Sequence, residues 1–178
     1  MLVRLWPPIG VVAMLLLGWV VGKGATPVDD WFHQYWDSPA RRLSFVTSPL
    51  VLVPLLVGVL LVAAYRRRWR LAAVTALAPL VGIAFVRMLK PVFGRDIGTA
   101  LAYPSGHVTT LVVVWGLLVI AAGCARWAVL VAIAVIAVGM LGVGITFHYF
   151  TDTVGGLLLG SAIVCVAALT SGQVPHRT

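Results

Sequence analysis

Six long apolar runs dominate the chain, separated by short polar stretches. They cover approximately Leu5 to Gly22, Pro49 to Tyr65, Leu71 to Leu89, Val108 to Gly123, Ala128 to Phe147 and Thr153 to Thr170. A helix needs about 20 apolar residues to cross a hydrocarbon core. An isolated strand would leave its backbone groups unpaired in lipid, so each run predicts a helix. The expected architecture is an all-α, integral membrane bundle of six transmembrane helices forming one domain over residues 1–178.

The polar stretches orient the bundle. Arg66-Arg67-Arg68-Trp69-Arg70 lies between the second and third runs, where a cytoplasmic topology signal belongs. Alternation then places Arg4, Arg126 and Arg177 on the same side. Asp29, Asp30, Asp37, Asp96 and Asp152, which are all five acidic residues of the chain, fall on the other. The outer side holds two loops and a tight turn. Residues 24–48 contain Trp31-Phe32-His33-Gln34-Tyr35-Trp36, which predicts a helix lying at headgroup level. Residues 90–107 carry Pro91, Gly94, Gly98, Pro104 and Gly106, and the turn runs from His148 to Asp152.

Composition agrees with lipid as the main solvent. Of the 178 residues, 61% are hydrophobic and 10% charged, with a mean hydropathy of +1.06. A soluble core of this size could not hide so much apolar surface. The net charge of +8 sits in juxtamembrane positions rather than on a basic face interleaved with aromatics, which argues against nucleic acid. Cys124 and Cys165 lack metal-ligand spacing and read as buried free thiols. Lys23-Gly24-Ala25-Thr26 is a poor cleavage site, so the first run is expected to stay as an anchor. Gly156 and Gly160 suit close helix packing. Few lysines, no Glu and an Ala/Val/Arg-rich make-up suggest a bacterial inner membrane protein.

Chemistry concentrates at the outer ends of the spans. His148 and Asp152 are four residues apart; on a helix they would share a face, letting the carboxylate accept a hydrogen bond from one imidazole nitrogen and leave the other nucleophilic. A structural His–Asp pair capping the sixth span is the bland alternative. Pro104-Ser105-Gly106-His107 opens the fourth span, where backbone amides at a helix N-terminus attract anions. The Ser105 hydroxyl either caps the helix or bonds a phosphate oxygen. Lys90 closes the third run, Arg87 shares its face one turn earlier, and Arg95 follows in a Gly-containing loop. An arginine as deep as Arg87 is expected to face the protein interior; Lys90 and Arg95 otherwise read as interfacial cations.

These strings, from about Leu89 to Gly160, resemble the type 2 phosphatidic acid phosphatase superfamily of membrane lipid phosphatases. That family's pattern is Lys, six residues, Arg-Pro; then Pro-Ser-Gly-His; then Ser-Arg, five residues, His, three residues, Asp. The resemblance implies His148 as the nucleophile that becomes a phosphohistidine and Asp152 as its orienting partner. It also implies His107 as the acid and base for the leaving group and water. Lys90, Ser105 and Gly106 would hold phosphoryl oxygens, with no metal and no cofactor. The family's arginines would fall at Ile97 and Gly142, so both are missing. Arg87 and Arg95 are the available substitutes, and Arg41 or Arg42 could fold in from the first outer loop.

The expected activity is hydrolysis of a lipid phosphate or diphosphate at the extracytoplasmic face. Polyprenyl phosphates or diphosphates, phosphatidylglycerol phosphate and phosphatidic acid are the candidate substrates, and membrane lipids are the surrounding partners. A homo-oligomer is compatible with the sequence. The alternative is a catalytically impaired, lipid-phosphate-binding membrane protein of the same fold. A transporter is disfavoured because matched broken helices are absent.

Overall fold

The computed structural model describes residues 2–173, and of Leu2 only the backbone. Arg177, assigned above to the cytoplasmic side, lies outside the described residues. The chain is all-α apart from one small hairpin. In order come α1 (Leu2–Val21), α2 (Pro27–His33), a 3-10 helix (Pro39–Thr47), α3 (Pro49–Tyr65), α4 (Trp69–Phe93), strands β1 (Asp96–Ile97) and β2 (Ala100–Leu101), α5 (Gly106–Ala121), α6 (Arg126–Thr146) and α7 (Phe150–Ser171). The strands pair antiparallel, Asp96 opposite Leu101 and Ile97 opposite Ala100.

Five of the helices are long and apolar enough to cross a membrane by length and composition: α1, the 3-10 helix continuing into α3, α4, α6 and α7. Helix α5 is shorter, at 16 residues. It is also the centre of the bundle, packed against α3, α4, α6 and α7. Val108, Leu111, Val113 and Leu117 on it are completely buried. The outward faces are apolar instead of polar: Leu16, Leu61, Leu80, Leu130 and Ile133 are all exposed. In water such a continuous apolar girdle would be an aggregation liability.

Small residues set the closest approaches. A Cβ at Gly156 would lie 2.6 Å from the Ser105 carbonyl oxygen, and one at Gly160 would lie 2.8 Å from the Val112 Cβ. The expected packing role of these two glycines is therefore met by α5 against α7. Helix α1 seats on α7 as well, through a Trp6 Nε1–H bond to Ser161 Oγ at 2.9 Å. Cys124 and Cys165 are free and half-buried, more open than the sequence reading expected.

Two predicted boundaries move in ways that matter. Helix α4 does not stop near Leu89 but continues to Phe93, ending where Gly94 adopts a left-handed conformation (φ 55°) and donates its N–H to the Lys90 carbonyl. Lys90 is thus in the last helical turn, and the loop between α4 and α5 is shorter than 90–107. The aromatic segment is helical only over the seven residues of α2. It then turns into the 3-10 helix, which lies directly on α6: a Cβ at Gly142 would overlap the Ser44 backbone nitrogen.

Candidate functional site

Every residue singled out in the sequence as a site candidate lies at one end of the bundle, where α1, α4 and α6 end and α5 and α7 begin. His107 occupies the first turn of α5, after Ser105 caps that helix by accepting from the Val108 N–H at 3.5 Å. His148 sits in the turn between α6 and α7. The two rings come together with centroids 5.7 Å apart, and His107 also stacks on Phe147 at 5.2 Å. Both rings line a cleft of about 590 Å³ that also contains Arg87, Lys90, Gly106 and Thr110. Leu52, Val53, Ile83 and Val86 make its walls apolar.

His107 lines a second cavity as well, of about 550 Å³, shared with Arg42, Ser44, Ser48 and Phe147. So His107 stands between two spaces, each with an open cation. Of the two loop arginines considered above, Arg42 reaches this cavity, whereas the Arg41 guanidinium packs over Trp36 at 5.6 Å. The reason is the bare Gly142 surface, which lets the 3-10 helix settle against α6 beside His107.

Four expectations need correction. First, His148 and Asp152 do not share a helical face, because His148 precedes the Tyr149 N-cap of α7 while Asp152 is in its first turn. Their closest approach, His148 Nδ1 to Asp152 Oδ2, is 3.7 Å, too long for a hydrogen bond, and the buried Nδ1 has no partner. Asp152 Oδ2 accepts instead from the Tyr149 N–H at 3.1 Å. Second, Ser105 is fully buried, so of the two roles open to its hydroxyl the helix cap is the one formed. Third, Arg87 is exposed at the cleft mouth and does not face the interior.

Arg95 is the fourth and largest correction. It is 1% exposed, and all five of its N–H donors are used. Nη1 donates to Asp152 Oδ1 at 2.8 Å and Thr151 Oγ1 at 2.7 Å. Nη2 donates to Asp29 Oδ2 at 2.7 Å and the Gly24 carbonyl at 2.8 Å, and Nε donates to the same carbonyl at 3.2 Å. The Tyr149 ring covers one face at 4.4 Å. Nothing remains to offer a ligand. Arg95 is a staple between residues 24–29 and the start of α7.

Asp29 is the residue that sequence reasoning missed. It is completely buried and accepts from Thr26 and from the Thr151 N–H and hydroxyl as well as from Arg95. Burial pushes its carboxyl up, but the hydrogen bonds from Thr151 and Thr26 outweigh that and hold it below the ordinary aspartate value. Thr26-Pro27-Val28-Asp29 does carry a capping signal, with the Thr26 backbone N–H bonded to Asp29 at 2.9 Å. That signal locates a helix start; it does not point to an arginine 66 residues away. The Lys90 ammonium lies outside these ion pairs and donates to the Leu101 carbonyl of β2.

The site therefore offers two adjacent imidazoles, two exposed arginines, a half-buried lysine and a helix N-terminus above an apolar cleft. No family model, curated protein or solved structure matches the chain.

Proposed function

We propose that the chain is a multi-pass membrane phosphatase acting on a lipid phosphate or diphosphate at the outer membrane face, through a phosphohistidine on His148. In this reading α5 is the sixth crossing. Its 16 residues span about 24 Å, less than a full hydrocarbon core. Four neighbouring helices shield it from lipid, so the mismatch has no consequence.

The observation that carries the reading is the pairing of His107 and His148, rings 5.7 Å apart, from different elements. One tetrahedral phosphoryl group can bridge that separation. His148 Nε2 attacks phosphorus while the bond from phosphorus to the lipid oxygen breaks, and His107 gives that oxygen its proton. His107 then takes a proton from water, whose oxygen attacks phosphorus and releases His148 and inorganic phosphate. Lys90, Arg87 and Arg42 stabilise the phosphoryl oxygens as charge builds. A shift of under about 1 Å brings Asp152 into hydrogen-bond range of His148 Nδ1, which fixes the ring once the imidazolium forms. The apolar cleft wall suits a substrate whose tail remains in lipid.

A second reading, lipid-phosphate binding without turnover, is favoured by one observation: Asp152 is bonded to Arg95 and Tyr149 rather than to His148. One experiment separates the two. Purified parent and His148→Ala are assayed for phosphate release from polyprenyl diphosphate, phosphatidylglycerol phosphate and phosphatidic acid, with a search for an acid-labile phosphoprotein. Release by the parent and a loss of about 1,000-fold or more in the variant supports the phosphatase. Equal release overturns it, and saturable binding with no release supports the second reading.

A further inference from the structure

The opposite end of the bundle carries a site that the phosphatase reading does not use. A groove of about 680 Å³ runs between α3 and the α5–α6 turn, lined by Pro54, Leu55, Gly58, Val59 and Val62 of α3 and by Leu118 across from them. Arg66, Arg68 and Trp127 stand at its mouth. From Pro54 to Arg66 the groove follows α3 for twelve residues, about 18 Å of helix. That is close to one leaflet: half of a hydrocarbon core of about 30 Å plus the first part of the headgroup layer.

Charge decides what fits there. Arg66, Arg67, Arg68, Arg70 and Arg126 gather at this end, and none is ion-paired among the described residues. Every acidic residue of the chain is at the other end: Asp29, Asp30 and Asp37 with α2, Asp96 on β1, Asp152 on α7. Arg67 takes a left-handed conformation (φ 55°), which reverses the chain and leaves Arg66 and Arg68 together on the groove side. Trp127, 63% exposed, supplies an interfacial ring beside them. Two open guanidiniums above an apolar channel of one-leaflet depth match a phosphodiester headgroup carrying an acyl chain.

We infer that this groove is a binding site for an anionic glycerophospholipid of the inner leaflet, its phosphate held by Arg66 and Arg68 and one chain lying along Gly58 and Val62. The inference rests on the membrane placement proposed above, not on the phosphatase chemistry. Gly58 provides a clean test, because a Cβ there meets nothing within 4 Å. Gly58→Leu therefore fills the channel without striking protein.

The experiment uses the full chain in detergent, offered equal amounts of phosphatidylglycerol and phosphatidylcholine of the same chains, with retained lipid counted by native mass spectrometry. The parent is expected to prefer phosphatidylglycerol by roughly tenfold or more, since each surface arginine favours an anionic lipid appreciably. The Arg66→Gln/Arg68→Gln pair is expected to lose that preference, and Gly58→Leu to lose retention while keeping parental helicity. Arg4→Gln, a basic position at the same end but not lining the groove, is expected to match the parent. Equal retention of both lipids by the parent, or equal losses in Arg4→Gln, overturns the inference. A chain recovered from the soluble fraction of cells overturns the membrane placement itself.

Discussion

Replacing Arg95 with glutamine separates two opposed accounts of that residue. As a phosphate ligand it would affect substrate affinity and little else. As the staple between Asp29 and Asp152 it holds two carboxylates whose side chains, like its own, have no solvent exposure. Removing one partner of a buried ion pair costs about 3–5 kcal/mol, because the remaining charge is uncompensated. Here two carboxylates are stranded, and the Gly24 carbonyl loses both of its donors. The expected loss is at least about 3 kcal/mol, or over a hundredfold in the unfolding equilibrium. That is a large fraction of the total for a domain of this size.

The assay is reversible unfolding in detergent, followed by helical circular dichroism, for the parent, Arg95→Gln, Asp29→Asn and the double variant. Removing both charges leaves only Asp152 to be accommodated, so the double variant is expected to recover about 1–3 kcal/mol relative to additivity. Two results would refute the staple. One is Arg95→Gln within about 0.5 kcal/mol of the parent, the range of an ordinary surface change. The other is strict additivity of the two single variants.

Three further outcomes follow from the geometry. Arg42→Ala is expected to lower kcat/KM on a lipid phosphate by roughly 10- to 100-fold, the scale of one charge-assisted contact, with Arg41→Ala near the parent because that guanidinium packs on Trp36. Gly142→Ala is expected to cost about 1–3 kcal/mol and to reduce activity along with it, since the new methyl displaces the 3-10 helix that carries Arg42; thermal unfolding and phosphate release measure both. Because the folded state holds Asp29 below its ordinary value of 3.8, its contribution is complete above that pH and is lost as pH falls through the lower folded value; an acid titration should show Asp29→Asn less sensitive than the parent in that window.

What the sequence reveals and conceals divides along contact range. Hydropathy locates every long helix, and α3 begins and ends where its apolar run does, because composition within one segment decides whether that segment enters lipid. Pro104-Ser105-Gly106-His107 reveals the start of α5 for an equally local reason: Ser105 caps through the N–H three residues on. Gly94 is a local stop signal too, but the apolar count fades at Leu89, four residues before α4 ends. Arg95 shows the limit. Nothing within ten residues of it explains its burial, because its carboxylates come from positions 29 and 152. Its place in a Gly-containing loop suits an interfacial cation, and only the folded chain shows that all its donors are taken.

The same triad bears on how His148 is held. A carboxylate has about four lone-pair sites, and Asp152 uses two, one for Arg95 on Oδ1 and one for the Tyr149 N–H on Oδ2. Capacity remains on Oδ2, the oxygen 3.7 Å from His148 Nδ1. Arg95 fixes Oδ1 and so determines which oxygen faces the histidine, while Asp29 fixes Arg95. A continuous polar chain thus runs from Asp29 in α2 through Arg95 and Asp152 to the unpartnered Nδ1. If His148 becomes an imidazolium or a phosphohistidine, its new positive charge appears beside a cluster of two carboxylates and one guanidinium, which is net negative. The pairing that looks, in the resting protein, like a carboxylate diverted from its histidine is therefore poised to attract the ring when it acquires charge.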